Sequence, residues 1–419
     1  MKRISLFLIL ALCAVCGLYA QTLDVCQGSV TWRYDANTLD AGSKMSVASG
    51  TTLSVGTMEF PLSGTTLRVN PTGTPEPLTV EVHYGGSTPQ IIADGTLAPY
   101  LKCSVDRQNV SITASTDLSQ EVTYRLSGVG ESFTLTGDYK STVVLDGVTL
   151  QATGTTPALY IVNGKRIDLQ CTDGTTNVVE DAATNTVKSA FYVKGHAEWK
   201  GGGTVNITGN ARHAYSSNEY TEIKASFTGV INILGAKNDG MHIEQYLIVN
   251  GGTINVSHTQ GDAIDVSYAM EDDEVTPTND SINGQVHVKK GVLNLSVNAD
   301  DTKALKSDDS MWITGGRIEA IANGDGSRCI NVGLDLTIGT KGSTDQTNPY
   351  IYLTANGGTY TAPDGDTTKC RGIKVKRNLY FYSGLLKRNP ESAVSSSKMV
   401  DVDGLPTVSG GKLDGITIN

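Results

Sequence analysis

The chain has 419 residues, of which 39% are hydrophobic and 6% aromatic, with 46 glycines. This composition, without any long amphipathic pattern, predicts an all-β protein rich in turns. The formal net charge is −10 and there is no long Lys/Arg tract, so the concentrated basic surface that nucleic-acid binding requires is excluded. An acidic surface favours divalent cations and neutral or cation-bridged polymers as partners.

The first twenty residues are typical of a signal peptide. Lys2 and Arg3 precede an apolar run over residues 4–18, and Ala20 offers a small residue for cleavage. We therefore expect Sec-type export to the periplasm, the cell surface or the exterior. No later apolar stretch reaches the roughly 18 residues that span a bilayer, so the sequence predicts no transmembrane segment. We expect the released protein to be a monomer.

Three regions follow the signal peptide. Residues 21–108 alternate like strands without a regular repeat, which predicts a β-rich module or a cap for a stack of repeats. Residues 109–384 show successive apolar alternations and form the predicted repeat domain. Residues 385–419 are a tail rich in Ser and Gly, either a final strand pair or a flexible end.

Five segments of the repeat domain share one pattern of a glycine turn followed by a strand. They are GGTVNI, TGVINI, GGTINV, KGVLNL and GGRIEA, with first apolar residues Val205, Ile231, Ile254, Leu293 and Ile318 at spacings of 26, 23, 39 and 25. About 23 residues accommodate three short strands and three turns, which is one circuit of a parallel β-helix. The 39-residue spacing indicates an insertion, which carries the acidic run Glu271, Asp272, Asp273 and Glu274.

Stacking of circuits turns aligned positions into columns of neighbouring side chains. One column consists of Asn206, Asn232, Asn255 and Asn294. These amides form a structural ladder by one interpretation. By the other, Asn232 and Asn255 belong to a face that binds the hydroxyls of a sugar polymer.

A second strand gives columns of charge. One column runs Asp239, Asp262, Lys303, Arg328 and Arg371, and the other runs His242, Asp265, Lys306, Asn331 and Lys374. Such columns are either a cross-strand charge ladder or part of a calcium site, because calcium takes six to eight oxygen ligands. The candidate calcium ligands share Asp-rich turns: Asp262, Asp265, Asp300, Asp301, Asp308 and Asp309. The six histidines show no metal spacing, which disfavours zinc.

Aromatic and imidazole side chains supply further candidate sugar contacts. His213 and Tyr215, in the predicted turn RHAYSS, are the preferred exposed candidates. His242 is another candidate, with a structural role as the alternative.

The residues also carry a family resemblance. The segments that carry the resemblance are SFTLTGDYKSTVVLDGVTL, NGKRIDLQCTDGTTNVVED, NDGMHIEQYLIVNGGTINV and LKSDDSMWITGG. Residues 111–339 resemble secreted carbohydrate-binding proteins built on a pectate-lyase-like parallel β-helix. The resemblance implies a right-handed coil, calcium held by Asp-rich turns, and binding of a plant-cell-wall or pectin-like polysaccharide. The six aspartates named above lie at positions that match the GDxID and KSDD motifs of this family.

We therefore expect a secreted, calcium-dependent polysaccharide-binding protein without catalysis. One alternative is a calcium-dependent lyase that uses Lys306 as its base, although the carboxylates around Lys306 favour its protonated form. Another alternative is a cell-surface adhesin or spacer that holds the N-terminal region away from the cell.

Overall fold

The computed structural model describes residues 22–35, 46–48, 52–55, 58–70, 76–271 and 276–418. In these ranges the regular elements are strands and two short 3-10 helices, Gly95–Leu97 and Ser396–Lys398, which confirms the all-β prediction. The described ranges contain no helix of the length and apolarity needed to cross a membrane. The predicted signal peptide and Asp272, Asp273 and Glu274 of the acidic run lie outside the described residues.

The N-terminal region forms short strands, most of which pair antiparallel with a neighbour. Their bounds are β1 (Thr22–Gln27), β2 (Val30–Asp35), β3 (Ser46–Ala48), β4 (Thr52–Val55), β5 (Met58–Pro61), β6 (Thr65–Asn70), β7 (Thr79–Tyr84), β8 (Gln90–Asp94), β9 (Leu101–Asp106) and β10 (Asn109–Ala114).

The remaining strands pair almost entirely in parallel. Those up to the acidic insertion are β11 (Val122–Gly130), β12 (Ser132–Gly137), β13 (Ser141–Gln151), β14 (Leu159–Asn163), β15 (Ile167–Cys171), β16 (Thr176–Glu180), β17 (Ser189–Val193), β18 (Ala197–Gly201), β19 (Thr204–Gly209), β20 (His213–Ser217), β21 (Thr221–Phe227), β22 (Val230–Ala236), β23 (Met241–Glu244), β24 (Tyr246–Val249), β25 (Thr253–Thr259) and β26 (Ile264–Ser267). Those after it are β27 (Gln285–Val288), β28 (Val292–Val297), β29 (Lys303–Ser307), β30 (Met311–Ile313), β31 (Arg317–Ala322), β32 (Arg328–Val332), β33 (Leu336–Ile338), β34 (Tyr350–Ala355), β35 (Thr359–Thr361), β36 (Thr367–Lys369), β37 (Arg371–Val375), β38 (Leu379–Phe381), β39 (Leu385–Arg388), β40 (Val400–Val402), β41 (Pro406–Val408) and β42 (Lys412–Asp414).

The pairing of these strands defines a solenoid. From β14 onward the strands recur in triplets, and each pairs in parallel with its counterpart one coil later, as β17, β18 and β19 do with β20, β21 and β22. The exception is the antiparallel pair of β35 and β36, which lies between two triplets. Three ladders result, which we call the first (β14, β17, β20, β23, β26, β29, β32, β37, β40), the second (β15, β18, β21, β24, β27, β30, β33, β38, β41) and the third (β16, β19, β22, β25, β28, β31, β34, β39, β42). The long strand β13 pairs with both β15 and β16, which joins the second and third ladders.

The core lies inside the coils. The predicted column Val205, Ile231, Ile254, Leu293 and Ile318 is in register through the third ladder and is completely buried. Alternate residues of a strand face opposite sides of the sheet, so the residues between these positions face outward. The register on which all column arguments depend is therefore confirmed.

The N-terminal strands join the solenoid at β11, which lies between β7 and β13. Gly128 of β11 has a φ of +86°, and a Cβ at this position would lie 1.9 Å from the carbonyl oxygen of Tyr84 in β7. Only glycine fits this contact, because any side chain would collide with the neighbouring backbone.

The ladders continue beyond residue 384. Strand β39 pairs with β34 and completes the coil of β37 and β38. Strands β40, β41 and β42 pair with β37, β38 and β39 and form one more coil. The insertion predicted from the 39-residue spacing lies between β26 and β27. Its end contacts the coil through a hydrogen bond that Gln245 donates to Asp280.

Candidate functional site

The outer face of the first ladder carries the two predicted columns of charged residues. His242 is opposite Asp265, Asp265 is opposite Lys306, and the column continues through Asn331 and Lys374. Lys303, Arg328 and Arg371 are likewise in register. These residues are therefore neighbours across coils, as the alignment of the sequence predicted.

Asp265 is the most buried member of its column. Lys306 donates a hydrogen bond from Nζ to Oδ1 of Asp265 at 2.8 Å, and Nδ1 of His242 lies 3.0 Å from Oδ2 of the same carboxylate. Burial opposes ionisation of Asp265, but His242 and Lys306 outweigh it and lower its pKa. Asp265 therefore remains ionised between two cationic partners.

Lys306 is held by carboxylates on two sides. In addition to Asp265, Oδ1 of Asp308 lies 3.2 Å from its Nζ. Burial opposes the charge of Lys306, but Asp265 and Asp308 outweigh it and raise its pKa above the ordinary value. A general base must be deprotonated near the working pH, so this environment disfavours Lys306 as the base of a lyase.

A cluster precedes this column on the same face. Asp239 lies between two imidazoles, with its Oδ2 3.2 Å from Nδ1 of His213 and 3.4 Å from Nδ1 of His242. The two rings stack with centroids 4.6 Å apart. Burial works against the charge of Asp239, but the two histidines outweigh it and hold its pKa well below the usual range.

The two histidines of this cluster differ in their electrostatics. Burial lowers the pKa of His213, although Asp239 opposes this shift. Burial also opposes the charge of His242, but contact with Asp239 and Asp265 outweighs it and raises its pKa to about 9. At neutral pH the structure therefore pairs one neutral imidazole with one charged imidazole.

Asp262 lies one coil after Asp239. Its Oδ1 accepts a hydrogen bond from the backbone N–H of Lys303 at 2.7 Å, and its own N–H donates to Asp239. Burial raises the pKa of Asp262 to about 7; the Lys303 charge opposes this rise, and the charges of Asp239 and Asp265 add to it. The ionised form of Asp262 is thus disfavoured by its surroundings near neutral pH.

The predicted ligands Asp300 and Asp301 belong to the turn before β29. Oδ1 of Asp300 accepts from the backbone N–H of Asp325 at 2.9 Å. Lys303 donates to the carbonyl oxygen of Asp301, and Nζ of Lys303 lies 3.5 Å from the Asp301 carboxylate. Lys303 therefore contacts both the Asp262 turn and the Asp301 turn.

The predicted ligands Asp308 and Asp309 follow β29. Asp308 pairs with Lys306, whereas Asp309 accepts hydrogen bonds from Tyr268 at 3.2 Å and from the backbone of Ser310 at 2.6 Å. In the described part of the chain, His213, Asp239 and His242 form a group whose ligand atoms all lie within 4.8 Å of one another, as they would around a metal ion. The six predicted aspartates do not form such a group.

The expectation that His213 and Tyr215 are exposed is wrong. Tyr215 is opposite Met241 of the inward column and is fully buried, with its ring 5.4 Å from that of Phe191. His213 is also buried. Alternation along β20 turns Tyr215 into the core, so this tyrosine cannot stack on a sugar.

The predicted asparagine ladder is present on the outer face of the third ladder. Asn232 donates to Asn206 at 2.8 Å, Asn255 donates to Asn232 at 2.7 Å, and Asn294 donates to Asn255 at 2.7 Å. The predicted sugar-binding residues therefore lie on different faces, because His213, Tyr215 and His242 belong to the first ladder.

A shallow groove runs beside the end of this asparagine ladder. Its lining consists of Asn255, Val256, Ser257, Asn294, Leu295, Ser296, Glu319 and Ile321. In register, Glu319 continues the column of Asn294, and Ile321 continues that of Ser296. Amide, hydroxyl and carboxylate groups thus border an apolar patch on one open surface.

Sequence reasoning did not find a second amide ladder, at the turn that follows the third-ladder strands. Asn323 donates to Asn298 at 2.7 Å, and Asn356 donates to Asn323 at 2.9 Å. The signal was available, because these asparagines hold the same place after β28, β31 and β34.

Stacked aromatic rings mark the second ladder and were also missed. Tyr220 stacks on His196 with centroids 4.4 Å apart and on Tyr246 at 4.7 Å, and His287 stacks on Trp312 at 4.7 Å. Such columns stabilise neighbouring coils.

The protein is thus a parallel β-solenoid with rows of polar side chains along its outer faces. The family model of carbohydrate-binding domain-containing proteins matches residues 106–416, and the chain belongs to this family. No curated protein sequence matches the chain. A solved structure, the polysaccharide lyase-like protein from C. thermocellum as a gadolinium derivative, is similar with a TM-score of 0.49 and 18% identity, over 63% of this chain and 98% of that chain.

Proposed function

We propose that this chain is a calcium-dependent polysaccharide-binding protein, and that the polymer binds along the asparagine ladder. The observation that carries this proposal is the row of linked amides beside the open groove at Asn255 and Asn294. The ligand class is a plant-cell-wall or pectin-like glycan. The proposal includes right-handed coils, the usual hand for connections between parallel strands, and action outside the cytoplasm as a monomer.

The amides of this ladder retain hydrogen-bonding capacity. Each amide carries two N–H donors and an oxygen with two lone pairs. Asn255 uses one donor toward Asn232 and one lone pair toward Asn294. Its second N–H and second lone pair are available to the hydroxyl groups of a sugar.

The repeat of the ladder suits a polymer. Neighbouring strands lie about 4.8 Å apart, so the amides form an evenly spaced row. A polysaccharide is itself a repeating chain, and successive sugars can meet successive coils. The exposed side chain of Ile321 at the edge of the groove offers an apolar contact to a sugar ring.

The aromatic columns of the second ladder are less suited to sugar binding. Sugars pack against the faces of aromatic rings. The ring of Tyr220 is covered by His196 on one face and by Tyr246 on the other. Stacking across coils therefore leaves mainly ring edges for solvent, which favours the asparagine ladder as the binding face.

The calcium part of the proposal is supported by Asp262. Burial raises the pKa of this carboxylate to about 7, with Lys303 opposing the rise, so a cation at the carboxylate would be favourable. Carboxylate and carbonyl oxygens are the ligands that calcium prefers. Asp265 and Asp308 already pair with Lys306, and the Asp301 carboxylate lies 3.5 Å from Nζ of Lys303. Asp309 accepts hydrogen bonds from Tyr268 and Ser310. Of the six predicted ligands, Asp262 and Asp300 therefore fit best. Calcium would supply positive charge near the Asp262 and Asp301 turns.

The experiment for glycan binding compares two matched variants. Asn255→Ala removes two amide hydrogen bonds from the proposed binding face, and Asn323→Ala removes two from the other amide ladder. A glycan array identifies a ligand, and titration calorimetry then compares affinities. We expect a loss of at least about tenfold, or 1.4 kcal/mol, for Asn255→Ala and unchanged affinity for Asn323→Ala. Equal affinities in the two variants would refute the assigned face.

The experiment for calcium uses thermal unfolding with calcium and with a chelator. We expect calcium to raise the melting temperature of the wild-type protein, because a ligand that binds only the folded state stabilises it. The rise should be lost in Asp262→Asn and kept in Asp335→Asn, which removes a surface pair with Arg377. A wild-type protein indifferent to the chelator contradicts the calcium proposal without affecting the glycan-binding face.

A further inference from the structure

The cluster of His213, Asp239 and His242 has features that the glycan and calcium proposals do not use. Its members come from two successive coils of the first ladder. Ser216 of β20 is opposite His242 of β23, and the backbone N–H of Ala214 donates to the carbonyl oxygen of Asp239. The backbone pairing thus places the three residues at the same end of two neighbouring strands.

The spacing of the ligand atoms matches that around a small divalent metal ion. Nδ1 of His213 and Nδ1 of His242 lie 3.2 and 3.4 Å from Oδ2 of Asp239, and the ligand atoms of all three residues lie within 4.8 Å of one another. Tetrahedral zinc with bonds of about 2.1 Å separates neighbouring ligand atoms by about 3.4 Å. The side chains are therefore already close to ligating positions.

His213 supplies an independent observation. Its side chain is 5% exposed, and its Nδ1 has no aligned hydrogen-bond partner although Asp239 is 3.2 Å away. Buried polar atoms are normally hydrogen-bonded. Ligand atoms that share a metal are adjacent without pointing at each other, because each points at the ion, and this explains the unaligned contact.

The geometry points to a site for a divalent transition metal of the zinc type, bound by His213, Asp239 and His242. Only a neutral imidazole binds a metal, so binding of the ion releases the proton that His242 carries in the metal-free protein. Asp265 is not a member of this group; its Oδ2 lies 3.0 Å from Nδ1 of His242 and its Oδ1 accepts a hydrogen bond from Lys306. Two imidazole nitrogens select zinc, nickel, copper or cobalt over calcium, which takes oxygen ligands. The site is thus chemically distinct from the calcium proposed at Asp262.

The test uses the full exported chain after removal of metals by a chelator. Zinc is titrated by calorimetry, and cobalt is titrated while visible absorption is recorded. We expect one zinc per chain and a cobalt spectrum with imidazole ligands. In His213→Ala the zinc affinity should fall by more than about tenfold, whereas His287→Ala, which removes a partly buried histidine on the second ladder, should bind zinc like the wild type.

Two measurements keep the outcome independent of folding defects. Circular dichroism checks that His213→Ala keeps its strands, and X-ray absorption at the zinc edge of the wild-type protein counts imidazole ligands without any variant. The inference is overturned if zinc does not bind, if His213→Ala binds it as well as the wild type, if the zinc spectrum shows oxygen ligands alone, or if equimolar calcium displaces zinc. Loss of the calcium response in Asp262→Asn with zinc binding retained would separate the two sites.

Discussion

The asparagine ladder makes a quantitative prediction about stability, because its members differ in the number of hydrogen bonds that they make. Asn255 donates to Asn232 and accepts from Asn294, whereas Asn206, at the end of the ladder, only accepts from Asn232. Replacement of Asn255 by Ala removes two bonds, and replacement of Asn206 removes one. The backbone and the apolar core are unchanged by either substitution.

The expected magnitude follows from the net contribution of one hydrogen bond, about 0.5–1.5 kcal/mol. Asn206→Ala should therefore lower the free energy of unfolding by about 0.5–1.5 kcal/mol and Asn255→Ala by about 1–3 kcal/mol. The ratio of two between the variants is more secure than either value, because both substitutions remove the same chemical group from the same face.

Urea denaturation followed by circular dichroism measures both variants, and a shifted midpoint at constant slope reports the change in stability. The double variant Asn232→Ala/Asn255→Ala completes a cycle, in which a coupling energy is expected because the two residues share a hydrogen bond. Equal losses for Asn206→Ala and Asn255→Ala, or additive losses in the cycle, would refute the ladder as a chain of energetically linked amides.

Three further predictions concern the core, the N-terminal junction and the charged column. Tyr215→Phe removes a buried hydroxyl that bonds within the core and should lower the free energy of unfolding by about 0.5–1.5 kcal/mol in urea denaturation without changing glycan affinity; a selective loss of affinity would restore a binding role. Gly128→Ala should lower the free energy of unfolding by more than about 2 kcal/mol. Gly147 also has a positive φ but has open space around it, so Gly147→Ala should lower the free energy of unfolding by only about 1 kcal/mol. Equal shifts in melting temperature for the two variants would contradict the collision at β11. Lys306→Met leaves the carboxylate of Asp265 with one cationic partner and should lower the free energy of unfolding by about 1–3 kcal/mol in chemical denaturation. Cleavage of a uronate polymer by β-elimination in the wild type but not in this variant would instead support a lyase.

The column predictions succeeded where the strands are regular. The alternation of apolar and polar residues in GGTVNI, TGVINI and GGTINV sets which side chains face inward, and the repeat sets which residues become neighbours. Asn232 and Asn255, and likewise Asp265 and Lys306, are therefore adjacent in the structure as aligned in the sequence. A shift of the pairing by one residue would turn the apolar side chains outward and expose the core.

The error at Tyr215 came from treating RHAYSS as a turn. Aligned one coil further, this segment matches DGMHI, so that His213 corresponds to Asp239 and Tyr215 to the inward Met241. The burial of Tyr215 was therefore available from the repeat. The contact between His213 and His242 was not, because these residues occupy different columns.

What the sequence by itself determined is the all-β class, the stacking of coils and the identity of side chains that share a column, since these follow from periodicity. Only the tertiary structure decided which columns approach each other, and hence that His213, Asp239 and His242 meet while the six predicted aspartates are spread over several turns. The physical reason is that hydrogen bonds between strands repeat and fix positions within a column, whereas contacts between columns depend on side-chain rotamers and the path of each turn, which do not repeat.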